Sequence, residues 1–557
     1  MSLPMLITRD ARRDAWVFFG LAVLVLGAGL GLRDPWPADE PRFALVARQM
    51  VESGRWLFPM RGDELYPDKP PLFMWMQAAT YLVVRSWRVA FLLPSLLCAL
   101  GTLWLTCDLG RRLWNRRIGL YAGYALLFAL QFAYQAKKAQ IDPAITFLVT
   151  LSVYALLRHL LRGPDWRWYY LGFFAAGLGV ITKGVGVIAL LVFLPAAFVR
   201  ARRWPGLHGV GTGAALLGLV AFLGAIGLWL LPMLLAVNDS NDPALQAYAD
   251  NILLRQTAQR YGNSWHHHQP PWYFLGVIAT MWLPAAFALP WALPAWWRRL
   301  RRRDPRYALL LGWVACVLLF FSIPSGKRDV YVLPALPMFC LALAPLLPAL
   351  LRRRAARLLL LGFVLLLAVL GLGGAIAALA GEPGFETRLE AERGLDPGSD
   401  ALWWMLLAIG AGAALATLWG RLRHVLAATV LTLSLLWTLF GFVGYPLLND
   451  ASSARALMRA AGERIGPAGE LGLVAWKEQN LLQADRAAHT FGFRRPAAEQ
   501  LRDALRWQAD APATRWIFIL DSALGDCVLR ERAIDLGRAN RRQWWLFRAD
   551  AVAAHCR

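Results

Sequence analysis

The chain has 557 residues, of which 58% are hydrophobic and 17% charged, with a mean hydropathy of +0.43. A single water-soluble globule is excluded, because several runs reach the ~20 apolar residues that cross a bilayer. The formal net charge is +23. In a soluble chain that balance points to nucleic acid, but in a membrane chain it reflects cytoplasmic loops rich in Lys and Arg, and no nucleic-acid partner is expected.

Arg9, Arg12 and Arg13 precede the apolar run 15–32 with no cleavage pattern, which predicts an uncleaved first span. About thirteen spans follow from the ~20-residue requirement. They are 15–32, 86–108, 117–136, 143–161, 168–182, 184–199, 209–236, 272–297, 307–322, 331–350, 355–380, 401–419 and 424–445. With the N-terminus placed in the cytoplasm, every second loop carries an arginine cluster. These hold Arg111, Arg112, Arg116 and Arg117, then Arg158, Arg162 and Arg167, then Arg200, Arg202 and Arg203. Arg298–Arg306, Arg352–Arg357 and the pair Arg421 and Arg423 complete the set. The positive-inside rule then sends the loops 33–85, 137–142, 237–271, 323–330 and 381–400 outward, with Lys183 and everything after Tyr445.

The outer loops carry acids and isolated cations among Trp, Phe and Pro. Asp39 and Glu40 follow the first span, with Arg42 next to them. They read either as a solvated pair or as acids at a membrane face that orient a reacting group. The stretch 41–52 puts Phe43, Ala44, Ala47 and Met50 on one face, which predicts a helix lying on the membrane surface. Lys69, in Asp68-Lys69-Pro70-Pro71, is held away from helix by the prolines. It reads as a fixed point charge for phosphate or as a snorkelling boundary lysine. Asp142 precedes Pro143 and suits a helix N-cap, which does not exclude a place in a site. Lys183 interrupts an apolar region at ITKGVGV and requires an aqueous cavity or a partner. Lys327, Arg328 and Tyr331, in SGKRDVYVLP, fit phosphate binding or interfacial anchoring. His266, His267 and His268 are consecutive, so they cannot all face one ion. One of them with an acid of the first loop could ligate a divalent metal such as zinc, and otherwise they are surface histidines.

Residues 446–557 change character, with strand-like runs at 471–476, 515–520 and 543–547 between helical stretches at 454–465 and 497–507. This predicts a small α/β domain. Cys98, Cys107, Cys316 and Cys340 lie in apolar runs and read as core residues. Cys527 and Cys556 lie in the polar domain and could pair if it faces an oxidising compartment.

These pieces together resemble the GT-C membrane glycosyltransferases that take a sugar from a polyprenyl phosphate. The resemblance is nearest to the bacterial lipid A 4-amino-4-deoxy-L-arabinose transferases, within the protein-mannosyltransferase-like superfamily. It is carried by PADEPRFA, YPDKPPLFMW, the IDP at Asp142, LGVITKG, NILLR…HHHQPPWYF and SGKRDVYVLP. It implies an α-helical polytopic protein of GT-C fold with a small α/β periplasmic C-terminal domain. It implies catalytic roles for Asp39 and Asp142. Arg42, Lys69, Lys183, Lys327, Arg328 and Tyr331 would contact lipid phosphate or acceptor, and Tyr66 and Arg255 would line the pocket. His267, His268 and Asp68 are the metal candidates, although relatives often have Glu where this chain has Asp68.

The implied reaction moves aminoarabinose from undecaprenyl phosphate to a lipid A phosphate, with inversion, at the periplasmic face of the inner membrane. The implied outcome is polymyxin resistance, from a protein acting as a monomer. A protein O-mannosyltransferase would share the donor chemistry but needs a base for a hydroxyl acceptor. A transporter would have no ready use for the long outer loops and the C-terminal domain.

Overall fold

The structure is a computed structural model and describes residues 10–209, 211–253, 268–380 and 400–556. Eight helices among them are long and apolar enough to cross a bilayer: Trp87–Leu113, Ile141–Arg162, Ala215–Asn238, Pro305–Ser322, Asp329–Leu350, Arg354–Leu379, Ala401–Gly420 and Val425–Ser453. A ninth forms if the bent pair Tyr273–Met281 and Ala285–Arg301 is one span.

The remaining expected spans are shorter or broken pieces, and each break has a local cause. The run 272–297 bends by 102° where Pro284 follows Met281. The run 117–136 divides into Arg116–Leu127 and Leu130–Ala136. The two breaks face each other. Leu130 N–H donates to Leu283 C=O at 2.9 Å, and Trp282 Nε1 donates to Gln131 Oε1 at 2.8 Å. Freed backbone groups at membrane depth are thereby satisfied within the protein. The run 184–199 starts as a 3-10 helix, Gly186–Val192. A Cβ at Gly186 would lie 2.3 Å from Ala176 C=O, so only glycine lets this segment close on the Trp166–Lys183 helix.

The arginine-rich loops gather at one end of the bundle. Arg116 pairs with Asp14 at 3.0 Å. Arg306 donates to Leu113 C=O at 3.0 Å, and His208 N–H to Leu160 C=O at 2.9 Å. Asp108 takes Arg111, Arg112 and Tyr154.

At the other end, the first outer loop is pinned by Arg33 and Glu40, both nearly fully buried. The Arg33 guanidinium holds the Glu40 carboxylate through both Nη atoms, at 2.5 and 2.7 Å. Glu40 also accepts from Trp36 N–H at 2.8 Å and Ala139 N–H at 2.9 Å.

The last span runs on to Ser453 through a π-helical turn, Phe440–Gly444, and the chain reverses at Ala454. Beyond it lies a five-stranded sheet with the spatial order Ala488–Thr490, Glu470–Val474, Arg515–Leu520, Arg542–Phe547, Ile534–Ala539. The first three strands are parallel and the last two antiparallel. Alternate residues serve opposite faces. Leu471, Leu473 and Phe518 pack with the Arg455–Ile465 helix. Ile517, Ile519 and Phe547 pack with Ala497–Ala509. Cys527 and Cys556 form a disulfide.

This domain sits on the first outer loop. Arg494 pairs with Asp68 at 2.6 Å, Thr490 bonds Asp63, and Arg455 reaches Asp34 at 3.2 Å.

We predict that Glu40→Ala lowers stability by about 3–5 kcal/mol, because it leaves the Arg33 charge buried without its partner. Thermal unfolding in detergent checks this, and a melting temperature within one or two degrees of the parent would contradict the role given to the pair.

Candidate active site

Asp39 stands at the head of the Glu40–Ser53 helix, where a carboxylate would ordinarily cap the backbone. Its side chain makes no cap bond. Pro41 occupies the first turn and removes one backbone donor there. The carboxylate faces cations instead. Arg328 Nη2 lies 3.1 Å away, Arg42 Nη1 3.6 Å, and Gln140 Nε2 3.2 Å.

Asp142, in the first turn of the Ile141–Arg162 helix, pairs with Lys183. Lys183 is delivered by the end of its own helix, which stops at Gly184 in the left-handed region (φ +82°). Its ammonium lies 5.0 Å from the Tyr331 ring centre.

The two acids belong to one electrostatic unit. Lys183 acts on Asp39 as well as Asp142, and Asp142 acts on Arg328 as well as Lys183. Burial pushes the Asp39 carboxyl up, but Arg328, Arg42 and Lys183 outweigh it and hold the group below its ordinary 3.8. Asp39 is therefore a carboxylate throughout the neutral range.

A second layer comes from the C-terminal domain. Glu478, nearly fully buried, accepts from Arg42 Nε at 2.8 Å and lies 3.5 Å from Arg61 Nη1. The Arg61 guanidinium stacks 3.8 Å from the Phe493 ring centre.

Gln140 also lines a cleft of about 430 Å³. Lys138 and Tyr134 give it a polar side, and Leu402, Phe440 and Leu448 an apolar one. Such a cleft suits an amphiphile with a charged head.

Residues 68–227 match the family described as dolichyl-phosphate-mannose-protein mannosyltransferase. A relative from Pseudomonas paraeruginosa (strain DSM 24068 / PA7), named undecaprenyl phosphate-alpha-4-amino-4-deoxy-L-arabinose arabinosyl transferase, is 32% identical over 341 residues. That match covers 58% of each chain, so the aligned part spans under two thirds of the relative's length. A relative of the same name, numbered 2, from Pseudomonas fluorescens (strain Pf0-1) is 30% identical over 66% of this chain and 63% of its own. The crystal structure of ArnT from Cupriavidus metallidurans bound to undecaprenyl phosphate superposes with a TM-score of 0.72. It does so at 19% identity, over 98% of this chain and all of that one. The chain has the ArnT fold. The apo structure of the same transferase gives a TM-score of 0.69.

Within this ArnT fold, Asp39, Asp142, Arg42, Lys183, Arg328 and Tyr331 come together. Other residues singled out from the sequence have different surroundings. Glu40, next to Asp39, is turned away into its bond with Arg33. The Lys327 ammonium is taken up by Pro324 C=O at 2.6 Å and Gln269 C=O at 3.1 Å, which ties two outer loops together. Tyr66 is fully buried beneath Arg42 and Arg61, with no hydrogen-bond partner for its hydroxyl. Burial pushes that phenol upward, so it stays protonated. Lys69 is half-buried in the turn before the Leu72–Val84 helix. Arg255 and His267 lie outside the described residues.

Of the metal candidates, the two described residues Asp68 and His268 do not assemble a site. Asp68 is engaged by Arg494 at 2.6 Å and Arg61 at 3.6 Å. His268 is exposed and joins Gly326 through a backbone bridge. Among the described residues, the one group with metal-ligand geometry is Cys527, His555 and Cys556, and its cysteines are spent in the disulfide. The donor set therefore does not fit zinc at Asp68 and His268.

Sequence reasoning passed over Gln140, Arg61 and Glu478. None had a local signal, since each is drawn into the site by a contact between segments far apart in the chain.

The sign of the Asp39 shift gives a test. A carboxyl held below its ordinary value adds stability that is present above that value and lost only as pH falls through the folded one. We predict that the melting-temperature difference between the protein and Asp39→Asn stays constant from pH 5 to 8. A difference that fades below pH 6 would mean that the carboxyl titrates near neutrality.

Proposed function

We propose that this chain is a membrane glycosyltransferase that moves 4-amino-4-deoxy-L-arabinose from undecaprenyl phosphate to a phosphate of lipid A. The observation that carries this reading is the cluster in which Asp39 and Asp142 are interleaved with Arg42, Lys183 and Arg328. The names of the similar proteins supply the sugar and the carrier. The Arg-rich loops at the opposite end support a periplasmic site in the inner membrane. The Cys527–Cys556 disulfide agrees with an oxidising compartment for the C-terminal domain.

The reaction breaks the bond between the anomeric carbon and the carrier phosphate oxygen. The electron pair stays with undecaprenyl phosphate, and an acceptor phosphate oxygen bonds the opposite face of the carbon, with inversion. The leaving phosphate gains charge. Arg328, Lys183 and Arg42 are placed to neutralise it by exchanging part of their hold on the acids for phosphate oxygens.

Asp39 is too weak a base to matter for an acceptor that is already anionic. A carboxylate repels that acceptor, so its use lies with the ammonium of the sugar, which it pairs and orients.

The match of residues 68–227 to protein mannosyltransferases favours a second reading, with a Ser or Thr hydroxyl as acceptor. That acceptor needs a proton taken from it, and the depressed Asp39 carboxyl suits the task poorly.

The test is purified protein with polyprenyl-linked aminoarabinose and lipid A, read by mass spectrometry. We expect lipid A to gain the sugar, Asp39→Asn to abolish transfer while expression holds, and Arg328→Ala to lower the rate by roughly 10²–10³. Sugar found on secreted proteins rather than on lipid A would favour the second reading. Near-normal transfer by Asp39→Asn would remove this carboxylate from the mechanism.

A further inference from the structure

A second cavity lies at the arginine-rich end, remote from Asp39. Its enclosed volume is about 110 Å³, on the measure that gives the outer cleft about 430 Å³. Tyr121, Phe128, Phe287, Leu350, Leu360 and Val430 are among its walls, and no charged residue lines it. It shares no lining residue with the cleft beside Gln140. The cavity is thus separate from the cluster around Asp39.

The mouth is marked by charge. Arg117 lies one turn before Tyr121 on the Arg116–Leu127 helix, and Arg352 follows Leu351, so both residues stand beside wall residues of the cavity. Both side chains are exposed. Arg111 and Arg112 take Asp108, Arg116 takes Asp14 and Arg306 takes Asp304, whereas Arg353 and Arg354, beside Arg352, have no acid partner among the described residues. Among the described residues, no acid pairs with Arg117 or Arg352.

We propose that this cavity holds a segment of an acyl chain of an anionic phospholipid from the leaflet on the arginine side, with its headgroup phosphate on Arg117 and Arg352. The walls are apolar apart from three hydroxyls, those of Tyr121, Tyr124 and Thr429, and the Tyr124 hydroxyl is buried with no hydrogen-bond partner. The two guanidinium forks offer several N–H donors to phosphate oxygens at headgroup depth. Basic rims between membrane helices select anionic lipids for this reason. A zwitterionic headgroup carries its own ammonium and gains less from the pair.

The experiment uses the full-length protein in mild detergent. Native mass spectrometry compares retention of phosphatidylglycerol with phosphatidylcholine of the same chain length. We expect at least fivefold stronger retention of phosphatidylglycerol. The double variant Arg117→Ala, Arg352→Ala should lose that preference while keeping its size-exclusion profile, and Ala288→Trp, which fills the cavity, should lower retention of both lipids. Inorganic phosphate at the same concentration should not displace the lipid. Equal retention of the two lipids, a preference that survives loss of both arginines, displacement by free phosphate, or a prenyl chain held there instead would each overturn the proposal.

Discussion

The buried pair of Arg33 and Glu40 fixes the geometry on which the outer face depends. Glu40 takes hydrogen bonds from Arg33, from Trp36 in its own loop and from Ala139 across the bundle. Arg33 in turn donates to Lys137 C=O and sits between the rings of Trp36 and Tyr445, at 4.8 and 4.7 Å. One ion pair therefore ties the first loop, the turn 137–139 and the last span. Such a pair contributes little net stability after desolvation, but its geometry is specific. Asp39 precedes Glu40 and Gln140 follows Ala139, so fixing the one pair also fixes the contact between the other. Nearby, Lys137 donates to Ala28 C=O, and burial and then Arg33 push its amine down to about 7. Both effects favour the neutral form of this amine beside Arg33.

The membrane part follows the same logic of satisfying groups internally. The breaks near Phe128 and Pro284 expose backbone groups that hydrocarbon cannot solvate. They meet each other, and Gln131 completes the junction by accepting from Trp282 and donating to Asp329 C=O at 2.7 Å. Asp329 follows Arg328, so the junction that repairs two broken helices also anchors the segment bearing the cation nearest Asp39.

The sequence made the apolar runs, the arginine loops and three of the strands legible, because each is a local pattern. The strand at 515–520 packs both faces, one on each of two cores, and shows as a short continuous apolar run. The break within 117–136 was not legible, since the run stays apolar on both sides of it, whereas Pro284 marks the bend within 272–297 in the sequence itself. Two short strands, Ala488–Thr490 and Ile534–Ala539, were also missed, because His489, Asp535 and Arg538 dilute the apolar pattern. At the site, the acids were visible as charges that membrane chains rarely carry. Their division of labour was not. Asp39 and Glu40 are adjacent acids with opposite fates, and what separates them is Arg33 on one side and Arg328 on the other. Lys327 and Arg328 divide in the same way, one to carbonyls of the loop and one to the site.

Charge balance links the C-terminal domain to the chemistry. Arg42 stands between two acids, Asp39 in the membrane part and Glu478 in the domain, and only the Nε contact to Glu478 is at full hydrogen-bonding distance. Its planar guanidinium can keep that bond while its Nη atoms turn to a phosphate. Arg61 leans on the same Glu478 and on Asp68, and Asp68 on Arg494 of the domain. The domain therefore supplies counter-charge to the half-buried Arg42 and the buried Arg61 beside the cluster of acids and cations. Without Glu478 those guanidinium groups would have only Asp39 and Asp68 to face.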